Sequence, residues 1–182
     1  MTNKKLHIIT FGNLKNGIHK FKYTLEKEFF VSFPALECEQ GEIKVDLELN
    51  KKDRMLTLNF NFSGYMELTC DRCLDKYNEP IEGEKVLYVK LKSGILQQEE
   101  EDDNVILFPD KKNEIDIHQY LYEYISLMLP MRKIHPNGKD GEPLCNPEMM
   151  QRLEEINNSN IEEEDIDPRW AALKQLKDKI IE

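Results

Sequence analysis

Glu42-Ile43-Lys44-Val45-Asp46-Leu47-Glu48-Leu49 alternates polar and apolar side chains without a break. A period of two sends successive side chains to opposite faces, so this stretch predicts a half-buried β-strand. Asn50-Lys51-Lys52-Asp53 is a polar turn, and the period resumes after it with Leu56, Leu58, Phe60 and Phe62 on one face. Gly64 holds the same parity, where a strand glycine suggests a bulge, and Met66, Leu68 and Cys70 continue the face. Residues 81–91 repeat the pattern with Leu87, Val89 and Leu91. Strands joined by short polar turns predict an antiparallel sheet, curled or barrel-like.

Upstream of these strands, residues 6–11 read as a short strand, and residues 18–25 as a partner for it. Phe29, Phe30 and Phe33 are spaced for one helical turn, which Pro34 ends. Val105-Ile106-Leu107-Phe108 reads as one more short strand. Asp116 can cap a helix with the stripe His118, Leu121, Tyr122, Ile125, Met128 and Leu129, stopped by Pro130. The fold class is therefore α+β, a sheet with a packed helix. The acidic run at 97–104 reads as a solvated loop, because like charges in series repel. Residues 132–147 form a loop rich in Gly, Pro and charge, 148–156 a short helix, and 157–164 a polar linker. Asp167-Pro168 suits an N-cap followed by a first helical position, and Trp170, Leu173, Leu176 and Ile180 follow on one face of an amphipathic C-terminal helix. The expected organisation is one α+β domain over 1–147 carrying a candidate zinc knuckle, then an acidic linker and helix over 148–182.

The chain has 182 residues and a formal net charge of −10. Residues 1–95 hold 15 Lys and Arg against 14 Asp and Glu, and residues 96–182 hold 10 against 21. The acidic second half repels a phosphate backbone. It suits a basic protein partner, or it serves solubility alone. No apolar run reaches the ~18 residues of a membrane span, and no signal-peptide pattern opens the chain. The expectation is a cytoplasmic protein with no membrane contact and no small-molecule substrate. No G-x-S-x-G, Walker A, G-x-G-x-x-G or H-E-x-x-H pattern occurs, so the chain reads as a binding factor rather than an enzyme.

Cys70-Asp71-Arg72-Cys73 is the pattern that can carry chemistry. Two residues between cysteines let both sulfurs face one tetrahedral ion from a single turn. A closed site needs two more ligands, and the loop after the long helix offers His135 and Cys145. Structural zinc is the implied cofactor. The bland alternative makes Cys70 a core residue at a strand end and Cys73 a turn residue. A thioredoxin-like dithiol would sit at a helix N-terminus, whereas this pair falls between strands. Cys38 reads as a core thiol, His118 as a packed core histidine, and His7 and His19 as strand residues with no partner pattern. Arg54 and Arg72 are candidates for phosphate or carboxylate contacts.

Several residues together carry a resemblance. They are Cys70-Asp71-Arg72-Cys73-Leu74 after a strand, Leu129-Pro130 at a helix end, Cys145-Asn146-Pro147, and the run from Asp167-Pro168-Arg169-Trp170 to Leu176. In this order they resemble the YceD family, the large ribosomal RNA subunit accumulation proteins, from about residue 10 to 178. The resemblance implies a bacterial or organellar factor for synthesis, processing or stability of large-subunit (23S) rRNA, with no established enzymatic activity. Its implied partners are an rRNA precursor or large-subunit ribosomal proteins. Many members carry a second C-x-x-C in the loop, where this chain has His135 and Cys145. The residues the family pattern assigns here are Cys70, Cys73, Cys145 and His135, together with Asp167, Pro168 and Arg169. Arg72 and Trp170 join the last three as the expected partner contacts. The alternatives are a metal- or thiol-dependent enzyme using Cys70 and Cys73, and an adaptor that touches only protein.

Overall fold

The computed structural model describes residues 7–92, 105–138, 140–142 and 144–159. The acidic loop and the helix expected after Asp167 lie outside these residues. Contacts divide the chain into two units, residues 1–134 and 135–182.

The first unit is built on a five-stranded sheet in the order β2-β3-β4-β5-β6. Its strands are β2 (Gly17–Leu25), β3 (Gly41–Lys52), β4 (Met55–Thr69), β5 (Lys76–Lys92) and β6 (Val105–Pro109). β2 to β5 pair antiparallel with their neighbours, and β6 lies parallel to β5. The sheet is thus mixed, and it stays open with β2 and β6 as its edges, so the expected barrel-like closure does not form. β1 (Ile8–Thr10) pairs with β7 (Glu114–Asp116) as a separate ribbon, not with residues 18–25. Those residues pair instead with β3 across the whole of β2.

The alternation of β3 and β4 sets the inner face. Ile43, Val45, Leu47 and Leu49 of β3 and Leu56, Leu58, Phe60 and Phe62 of β4 are all buried. Met66, Leu68 and Cys70 continue the row, so the register is kept through Gly64. Gly64 pairs regularly with Ile43 and Ile81, and no bulge forms. The opposite face carries exposed cross-strand ion pairs, Lys22–Asp46 at 3.0 Å and Lys20–Glu48 at 3.6 Å. Pairs this exposed contribute little stability but keep that face wet.

Two short helices cover the inner face. α1 (Lys27–Val31) buries Phe29 and Phe30, and a 3-10 turn over Pro34–Leu36 follows it. α2 (His118–Met128) buries Leu121 and Ile125. The helix is not capped by Asp116 as expected: the N-cap is Ile117, which has no capping side chain, and the Asp116 carboxylate, one residue further out, accepts only the first helical amide, His118 N, at 2.9 Å. Tyr124 packs edge-on against Phe60 at 5.5 Å, and burial pushes its phenol up to about 12. Gly83 of β5 leaves room for Met128, since a Cβ there would lie 2.7 Å from its sulfur.

Lys51 ties the loop after β1 to the sheet. Its ammonium donates to Phe11 O and Leu14 O, each at 2.8 Å, and to Gly12 O at 3.4 Å. Hydrogen bonds from a charged donor contribute more than neutral ones, so Lys51→Met is expected to cost about 2 kcal/mol. A denaturant midpoint would read this, with faster amide exchange confined to residues 11–14.

In the second unit, α3 (Pro147–Ser159) starts where Asn146 accepts the Glu148 amide on its side-chain oxygen at 3.0 Å. Asn146-Pro147 is thus an N-cap followed by a first-turn proline. The helix runs three residues beyond the expected end at 156, through residues read as linker.

Candidate metal centre

The C-x-x-C forms the whole turn between β4 and β5. β4 ends at Thr69 and β5 starts at Lys76, paired with each other, so residues 70–75 must reverse the chain. Two backbone bonds close the turn: Cys70 N to Asp75 O at 2.9 Å, and Leu74 N to Cys70 O at 3.0 Å. The Arg72 amide points at Cys70 Sγ from 3.4 Å. An amide donor aimed at sulfur stabilises negative charge there, which a thiolate ligand needs. Leu74 completes the reversal with φ +62°.

The segment after α2 is held beside this turn by a reciprocal pair of bonds. Asp71 N donates to Lys133 O at 2.6 Å, and Lys133 N donates to the Asp71 carboxylate at 2.7 Å. His135 follows two residues later. The loop beyond closes on itself through Leu144 N to Pro136 O at 3.3 Å and Gly138 N to Glu142 O at 2.7 Å. Closure at 136 and 144 makes the flanking His135 and Cys145 neighbours, despite nine residues between them.

One ligand atom from each of Cys70, Cys73, His135 and Cys145 lies within 4.8 Å of the others. The three cysteines are buried, at 0%, 2% and 5% exposure, and His135 is half-buried. Metal–sulfur bonds of ~2.3 Å and metal–nitrogen bonds of ~2.0 Å place tetrahedral ligands on the order of 3.5–4 Å apart. The 4.8 Å limit on the cluster is within about 1 Å of that span, and its donors are those a borderline-soft ion selects. The group can therefore hold a metal ion, and all four sequence candidates for that role come together.

Cys38 stands apart. It is buried, its thiol donates to Gln40 O at 3.0 Å, and burial pushes its pKa up, so it stays a protonated core group. Arg72 is half-buried at the turn. The other expected partner contacts, Asp167, Pro168, Arg169 and Trp170, lie outside the described residues.

A second polar cluster escaped the sequence reading. His7 Nδ1 and His118 Nδ1 are 3.0 Å apart, with the rings stacked at 5.0 Å. Ser32 Oγ lies 3.3 Å from His118 Nε2, and Tyr23 and Phe29 also flank His7. His7 is only 8% exposed. Burial holds its pKa below the usual imidazole value, and neighbouring His118 adds to this, while Asp116 acts the other way. The folded state then binds this proton less readily than the unfolded chain. Stability is complete above about pH 6.5, the unfolded value, and is lost as pH falls towards the lowered folded value. The melting temperature should drop from pH 7 to pH 5, and His7→Phe should flatten that drop. An equal drop in the variant would assign the pH response to other groups.

A family model described as large ribosomal RNA subunit accumulation protein YceD matches residues 58–177, well over half of the chain. The match takes in β4 from Leu58 on, the cysteine turn, α2, the loop with His135 and Cys145, and α3. Among curated proteins and among solved structures, none matches the chain. Among the described residues, no helix is long and apolar enough to cross a membrane.

Proposed function

This chain belongs to the YceD family, and from that premise we propose that it is a non-enzymatic accessory factor for accumulation of large-subunit rRNA. It acts by binding the rRNA precursor or the ribosomal proteins that assemble on it. The observation that carries the reading is the family match itself, supported by the character of the cysteine cluster. A catalytic zinc keeps an open position, usually with three protein ligands and a water. Here four protein donors converge. That favours a closed structural zinc clip over a metal-dependent enzyme. In this role Cys70, Cys73, His135 and Cys145 hold the ion, and the ion ties the loop to the β4–β5 turn. What the chain itself supplies is a rigid turn with a defined outer surface.

The test is depletion of the protein in its own cells. Mature large-subunit rRNA should fall relative to small-subunit rRNA, and the protein should co-sediment with large-subunit precursors. Unchanged rRNA ratios with no co-sedimentation would sink the proposal.

A further inference from the structure

Leu74 is an outlier on two counts. Its φ of +62° is a left-handed conformation that costs a residue with a Cβ on the order of 1 kcal/mol. Its side chain is 67% exposed, so burial within the fold does not offset that cost. Glycine would close the same turn without strain. Met131, just after α2, is exposed at 102%. The reciprocal Asp71–Lys133 bonds fix the backbone that carries both residues. Two long apolar side chains thus stand on rigid supports, each within three residues of that bonded pair.

Charge around them is balanced. The two segments carry Arg72, Lys76, Arg132 and Lys133 against Asp71 and Asp75, and Glu67 and Glu37 add two more acids by pairing with Lys76 at 2.8 Å and Lys133 at 2.9 Å. Exposed apolar anchors inside a charge-balanced rim match the anatomy of a protein–protein contact. A footprint for RNA would show excess positive charge and aromatic platforms. Residues 70–76 and 131–134 contain no aromatic side chain, and the chain as a whole carries −10.

We propose that the tip of the cysteine turn is a docking surface for a protein of net basic charge, with Leu74 anchored in an apolar pocket of that partner. The inference rests on the accessory-factor reading and narrows its partner from rRNA or protein to protein. The acid excess lies in residues 96–182 rather than at the balanced tip, and the chain's net charge of −10 steers a cationic protein towards the molecule at long range and repels phosphate.

The experiment uses the full-length protein and large-subunit precursor particles from cells that lack it. Wild type should co-sediment with the particles. Leu74→Gly should melt at the same or a higher temperature, since it removes strain, yet bind at least tenfold more weakly. A photo-crosslinking residue at position 74 should give a product that resists ribonuclease, yields to protease and contains a basic protein. Tight binding by both Leu74→Gly and Met131→Ser would overturn the docking surface alone, as would a crosslink to RNA. Failure of wild type to co-sediment would overturn the accessory-factor reading and this inference with it.

Discussion

Cys73→Ser is expected to abolish metal binding and to produce the largest loss of stability of any single substitution in this chain. Purified wild type should carry one zinc per chain by elemental analysis, and the variant none. Binding to a dedicated site of this kind is worth on the order of 10 kcal/mol of folding free energy, because the unfolded chain holds no preformed site. Removing one of four donors forfeits much of that and leaves buried Cys70 and Cys145 without a shared ion. The loss should appear as a fall of several kcal/mol in unfolding free energy. Treating wild type with a chelator should reproduce it. Cys38→Ser is the control, since that thiol bonds the backbone at Gln40 and Glu67 and lies outside the cluster. It should keep its zinc. Metal-free wild type, purified without chelators from zinc-replete cells, would remove the clip.

Gly64→Ala should be nearly as damaging, for a reason unrelated to metal. A Cβ at Gly64 would lie 2.0 Å from Glu42 O and 2.8 Å from Ile43 Cα. Both are backbone atoms of β3, so no rotamer change can relieve the clash. Gly64 is also paired on both sides, with Ile43 and Ile81, in the middle of the sheet. One strand must then shift away from its neighbour and break ladder bonds. Overpacking that moves backbone usually costs up to ~3 kcal/mol, and the lost pairing adds to it. A loss of more than about 3 kcal/mol in a denaturant titration is expected. A variant within about 1 kcal/mol of wild type would show that the two strands can separate freely there. Gly64 has no positive φ, so the effect comes from close approach alone.

Gly64 also marks where sequence reading reached its limit. Its parity in β4 was legible, and with it the burial of Met66, Leu68 and Cys70. Its purpose was not, because a bulge and a close approach both call for a residue without a Cβ. Only the position of the neighbouring strand distinguishes them. β6 was legible as a strand from Val105-Ile106-Leu107-Phe108, but its direction was not, since an apolar run reads alike in parallel and antiparallel neighbours. β1 was legible too, yet its partner lies more than 100 residues away in β7.

The two polar clusters divide the same way. Cys70 and Cys73 announce themselves because both donors come from one turn, and local spacing is enough to aim them. His135 and Cys145 could be nominated by chemistry alone. Their meeting depends on the Pro136–Leu144 closure and on the Asp71–Lys133 pair, which involves residues 62 apart. His7 and His118 are 111 residues apart with no spacing signal, so nothing local could join them. What repeats at short range was legible in the chain itself: the strands, their buried faces and the cysteine turn. Periodicity and turn spacing depend on neighbours a few bonds away, whereas the cap expected at Asp116 moved to Ile117. The tertiary structure alone decided which strands pair, that the sheet stays open, and which distant side chains share a site. Those outcomes depend on packing between segments whose separation in the chain carries no information about their separation in space.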